Sequence, residues 1–78
     1  MRYRFDMTLR QAEGALARVI GVTERRGYRP LKVDGETRSE GDRWHLCLEV
    51  EGERDGGLLR EQLAKLHDCL DVQVSPCR

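Results

Sequence analysis

Seventy-eight residues, 38% of them hydrophobic and four of them aromatic, suffice for one small globular core but not for two domains. Fourteen basic side chains balance fourteen acidic ones, and no apolar run approaches the roughly 18 residues of a membrane span, so neither a basic nucleic-acid footprint nor a transmembrane segment is expected. Cys47, Cys69 and Cys77 form no C-x-x-C pair and stand at no ligand spacing to His45 or His67, which argues against zinc and for reduced thiols. The first residues, Met1-Arg2-Tyr3-Arg4-Phe5-Asp6, lack the apolar block of a signal peptide, and a cytoplasmic location is expected. The zero net charge conceals an asymmetry. Residues 1–33 hold eight basic and three acidic groups, and residues 34–78 hold six and eleven, a balance suited to interleaved halves or to complementary subunit surfaces.

Tyr3, Phe5 and Met7 alternate with Arg2, Arg4 and Asp6, the pattern of a half-buried strand. A loop is expected over residues 9–13, because the Thr8-Leu9-Arg10-Gln11 capping box would place Gly14 inside a helix. Residues 14–26 then read as an amphipathic helix. Leu16, Val19, Ile20 and Thr23 form the inward stripe, Ala12 and Ala15 extend it backwards, and Arg18, Glu24 and Arg25 lie on the solvated face. Gly27 follows two arginines as a left-handed stop, and Gly21 is expected to admit another backbone closely.

Residues 29–36 read as a second strand, with Leu31 and Val33 on one face and Lys32 and Asp34 on the other; Pro30 suits an edge. Residues 37–42 are polar, a hairpin loop with room to move. Trp44, Leu46, Leu48 and Val50 alternate with His45, Cys47, Glu49 and Glu51 in the cleanest strand signal of the chain. Asp55 is a candidate N-cap for a second helix that turns Leu59, Leu63 and Leu66 inward and carries Lys65 and His67 in its last turn. Leu70, Val72 and Val74 alternate with Asp71, Gln73 and Ser75 as a final strand. Residues 1–75 make one domain and 76–78 a tail.

The order βαββαβ predicts an α+β, ferredoxin-like fold: a four-stranded antiparallel sheet in order 4-1-3-2, with both helices on one face. The open face would show Arg2, Arg4, Lys32, Asp34, His45 and Glu49 among other polar groups, with no aromatic residue on which a base could stack. His45 and His67 join no nucleophile–base–orienter set, so the chain alone is expected to be no enzyme and to use no metal. The helix entrance remains. Gly14, with Ala12 and Ala15 beside it, leaves backbone N–H groups open to a carboxylate or phosphate, or simply starts a helix; the residues by themselves support both readings equally.

Two stretches carry a resemblance. Gly14-Ala15-Leu16-Ala17-Arg18-Val19-Ile20-Gly21, continued by Arg26-Gly27-Tyr28, resembles the ACT domain of acetolactate synthase small subunits, in which Gly-Ala-Leu, Arg-Val-x-Gly and Arg-Gly-Tyr follow the first strand. Gln62-Leu63-Ala64-Lys65-Leu66-His67-Asp68, then Leu70-Asp71-Val72, is similar to that family's second helix and last strand. The resemblance implies a non-catalytic regulatory subunit that binds and activates a large catalytic subunit in branched-chain amino acid biosynthesis. Thiamine diphosphate, FAD and magnesium would sit in that partner and no cofactor in this chain. It also implies a homodimer joined through edge strands, with a branched-chain amino acid effector near the first loop, at Gln11, Ala12, Glu13, Gly14, Ala15, Leu16 and Arg29.

Valine-sensitive members carry asparagines where Gln11 and Arg29 stand, and Glu13 adds a negative charge beside the carboxylate position. With the short length, these departures look most like the isozyme II type of small subunit, implying weak or absent valine feedback. The alternative is a stand-alone ACT-domain amino-acid sensor serving another partner.

Overall fold

The computed structural model describes residues 1–37 and 41–77. Six elements follow the expected order: β1 (Arg2–Arg10), α1 (Ala15–Arg25), β2 (Arg29–Thr37), β3 (Arg43–Glu51), α2 (Gly56–Ala64) and β4 (Cys69–Cys77). The sheet runs β2-β3-β1-β4 and every pairing is antiparallel, which is the expected 4-1-3-2 order read from the opposite edge.

Alternation builds the core. Tyr3, Phe5, Met7 and Leu9 of β1 are buried, as are Val50, Leu48 and Leu46 directly opposite the first three. Val19 and Thr23 of α1 and Leu59 and Leu63 of α2 close over this face. Thr23 satisfies its buried hydroxyl by donating to the Val19 carbonyl at 2.8 Å. Opposite, Arg2 faces Glu51, Arg4 faces Glu49 and Asp6 faces Cys47, so the open face is polar as expected.

The start of α2 and the end of α1 depend on short-range fit. The Asp55 carboxylate accepts from Gly57 N–H at 3.3 Å, the expected cap. Gly56 starts α2 against the Tyr3 ring, where a Cβ would lie 2.6 Å from a ring carbon. The end of α1 is a Schellman motif: Tyr28 N–H reaches the Thr23 carbonyl, Gly27 N–H reaches Glu24, and Gly27 is left-handed at φ 88°.

Several local expectations give way to packing. Leu9 belongs to β1, not to a loop, because it continues the buried parity and pairs with Trp44. Ala12 is exposed, since the chain turns before α1 begins. Leu31 and Leu70 leave the alternation, because β2 shifts register between Pro30 and Lys32 and β4 does so opposite Thr8 and Leu9. Each leucine is the extra residue of its strand and stays about 40% and 38% exposed, respectively. Gly21 meets no second backbone; a Cβ there would touch only Arg25 Nη1 at 3.4 Å. The close approach occurs instead at Gly35, where a Cβ would lie 2.6 Å from the Trp44 indole. Lys65 caps α2, leaving His67 in the following turn, and β4 continues through Pro76 and Cys77, which pair with Tyr3 and Arg2. Positions 38–40 of the expected hairpin loop lie outside the described residues.

Candidate effector site at the entrance of α1

The chain leaves β1 and reverses in a tight turn. Ala15 N–H donates to the Ala12 carbonyl at 3.1 Å, with Gly14 between them at φ 79° and ψ 3°. Those angles are the third position of a type II turn, which glycine occupies without strain. Gly14 is also the N-cap of α1, and no side chain caps the helix. The turn uses Ala15 N–H, and Arg18 N–H returns to the Gly14 carbonyl at 3.0 Å. Among the described residues, the main-chain bonds at this entrance leave the N–H groups of Leu16 and Ala17 as donors.

Arg18 lies on the exposed face as expected, but sequence reasoning missed its partners. Its guanidinium folds back over the turn. Nη2 donates to the Glu13 carbonyl at 2.9 Å, and Nε donates to the Asp68 carboxylate at 2.8 Å. Asp68 is buried, at 6% exposure, although it lies in the turn between α2 and β4. Its carbonyl accepts Arg10 N–H at 2.8 Å, so residue 68 holds both the end of β1 and the start of α1. The positive φ is what requires glycine here; a Cβ on Gly14 would stand 2.9 Å from Arg18 Nη1, the end of a flexible side chain. The available signal was the appearance of Arg18 in the first family-like stretch and Asp68 in the second.

The remaining expected residues divide between two ends of the sheet. Gln11 lies beside Gly14: its N–H reaches the Asp42 carbonyl at 2.7 Å, and its side-chain amide reaches the Arg43 carbonyl at 3.3 Å. Ala12, Glu13 and Gly14 are exposed, Ala15 is buried and Leu16 packs partly against the core. Arg29 is far from all of them. It pairs with Glu51 across the ladder and binds that carboxylate at 2.6 Å, and Glu51 in turn faces Arg2 at the start of β1. One copy of the chain therefore gathers six of the seven expected residues and leaves the seventh at the opposite end.

The other titratable groups contribute little chemistry here. Burial pushes the Cys47 and Cys69 thiols above the ordinary cysteine range, keeping both protonated at neutral pH. Burial also raises the Tyr28 phenol, whose hydroxyl donates to the Asp55 carbonyl at 2.7 Å. His45 Nε2 stands 3.9 Å from Asp6 on the open face. Among the described residues, no three His, Cys, Asp or Glu side chains cluster in a way that could hold a metal. No described helix is long and apolar enough to cross a membrane.

A four-stranded antiparallel sheet in the order βαββαβ with two helices on one face is the ferredoxin-like fold. The sequence profile described as the ACT domain matches residues 11–72, and the chain belongs to the ACT domain family. Solved structures agree on the fold. The acetolactate synthase small subunit of Thermotoga maritima is similar with a TM-score of 0.79 at 19% identity, over 95% of this chain and 47% of that one. The ACT domain from GTP pyrophosphokinase of Chlorobium tepidum is similar with a TM-score of 0.77 at 12% identity, over 96% and 97%. A formyltetrahydrofolate deformylase from Pseudomonas putida gives 0.79 at 8% identity, over 99% and 29%. The chain thus spans about half of the first of these proteins and less than a third of the last. No curated protein sequence matches it.

Proposed function

We propose that this chain is the regulatory small subunit of an acetolactate synthase, binding and activating a large catalytic subunit that carries thiamine diphosphate, FAD and magnesium. The observation that carries the reading is the meeting of Arg18 with Asp68. Arg18 and Asp68 come one from each of the two stretches that resemble acetolactate synthase small subunits, lie 50 residues apart in sequence and join in one hydrogen-bonded staple over the helix entrance. The small-subunit structure from Thermotoga maritima supports the fold of this reading, not the partner.

The effector would be an amino acid whose carboxylate takes the N–H groups of Leu16 and Ala17. Valine feedback is weak or absent in this reading. Gln11 already spends its amide on Arg43, Arg29 is bound to Glu51, and Glu13 places a negative charge next to the carboxylate position. A homodimer through β2 completes the picture. Antiparallel pairing of two β2 edges would bring the Arg29 end of one copy toward the Gln11 end of the other, reuniting the residues that one copy separates. The experiment is co-purification with the acetolactate synthase large subunit of the same organism and assay of acetolactate formation, with and without valine. A severalfold rise in rate that valine leaves unchanged supports the reading. If neither binding nor activation occurs, but amino acids still raise the melting temperature of the isolated chain and Gly14→Asp abolishes that shift, the chain is instead a stand-alone sensor.

A further inference from the structure

We infer a second anion site at the opposite end of the molecule from Gly14, formed by Arg25, Arg26 and Arg54, which would take a small multivalent anion of the phosphate class. These side chains line one groove of about 680 Å³ between the end of α1 and the loop from β3 to α2. Arg26 and Arg54 also line a smaller adjoining cavity of about 140 Å³.

Charge is the first argument. Among the described residues, neither Arg25 nor Arg54 has a carboxylate within ion-pair distance, and the Arg26 guanidinium donates only to the neutral Gln62 amide, at 2.9 Å. Two carboxylates line the same groove, and they do not cancel the arginines. Glu51 is already held by Arg29 at 2.6 Å and Arg2 at 3.6 Å, and Glu53 offsets one of the three guanidinium groups. The Met1 ammonium, which donates to the Gly52 carbonyl at 3.1 Å, lines the groove as well, so an excess of at least two positive charges remains, suited to a multivalent anion, and guanidinium forks suit the paired oxygens of a phosphate.

Rigidity is the second. The floor of the groove is fixed by Tyr28, whose ring lies so close to Gly52 that a Cβ there would be 2.6 Å away, and whose hydroxyl is bound to the Asp55 carbonyl. Arg25 closes α1, and the Schellman turn at Gly27 fixes the backbone that carries Arg26. The three cations thus project from two braced segments, and the cost of ordering the backbone is met in folding, before any ligand arrives.

Titration of the ¹⁵N-labelled full chain with inorganic pyrophosphate tests the site, with sodium chloride used to hold ionic strength constant. Saturable shifts are expected at residues 25–28 and 52–54, and the double variant R25Q/R54Q is expected to weaken binding at least about tenfold while leaving the remaining spectrum in place. A parallel titration with citrate separates sources of the charge: weaker binding than pyrophosphate supports the phosphate class, and equal or tighter binding overturns it. Shifts reproduced by sodium chloride alone, shifts confined to residues 14–18, or full binding by R25Q/R54Q would each overturn the site. The outcome is independent of the catalytic partner, since the entrance of α1 and this groove are read by different residues.

Discussion

The two edges of the sheet are built alike and finish differently. β2 and β4 are each nine residues long, and each carries one bulged leucine. β4 lies beneath α2, so Val72 is buried and Cys69 and Val74 pack against the core. β2 has no such cover: every residue from 31 to 37 is exposed, including Leu31 at 40% and Val33 at 44%. From residue 31 onward β2 keeps an open ladder beside exposed apolar side chains. A thin core of this size gains from covering that edge, which is why the proposed dimer joins there. The difference between the edges thus separates what the chain needs in order to fold from what it presents to another molecule.

The largest effect is expected from removing the covered edge. Truncation before Leu70 deletes most of β4 and strips Phe5 and Met7 of Val74 and Val72, so the cooperative unfolding transition by circular dichroism should vanish. Val33→Glu on the open edge should do the opposite: stability within about 0.5 kcal/mol of the parent, with self-association weakened in sedimentation equilibrium. Should Val33→Glu unfold the chain, β2 is a core strand and the contrast fails. Next comes the staple. Arg18→Ala leaves the buried Asp68 carboxylate without its partner, and urea titration should show a loss of about 1–2 kcal/mol, less than for a fully buried pair because Arg18 is half exposed.

Smaller effects sharpen the picture. Gly21→Ala should stabilise the chain by about 0.5–1 kcal/mol, since the site is helical and a methyl group would meet only a flexible arginine tip. A loss of acetolactate synthase activation by this more stable variant would mean that Gly21 packs against a partner. Cys69, at the covered start of β4, should alkylate slowly with iodoacetamide at pH 7.5 by comparison with the urea-unfolded chain. Its raised pKa keeps it a thiol there, so the rate should climb only as pH passes above the usual cysteine range.

Most of the architecture was legible because period-two alternation survives on β1 and β3, the two central strands. Tyr3, Phe5 and Met7, like Leu46, Leu48 and Val50, are each buried on one side and paired on both, and nothing interrupts their parity. The edges were less legible. A bulge depends on how an edge strand adjusts to its single neighbour, so Leu31 and Leu70 read as inward residues and emerged as extra ones. The site was half legible. Gly14 announced a turn through its lack of a side chain, whereas Arg18 looked like a solvated helix residue because its partner, Asp68, is 50 residues away. Arg29 was grouped with Gln11 by resemblance alone, and within one chain the β2–β3 register holds them apart.

Reconstitution with the cognate acetolactate synthase large subunit, followed by size-exclusion chromatography and an acetolactate assay, tests the central claim most directly. Co-elution with a severalfold gain in activity that valine does not reverse is the predicted result. Separate elution with an unchanged rate would contradict it.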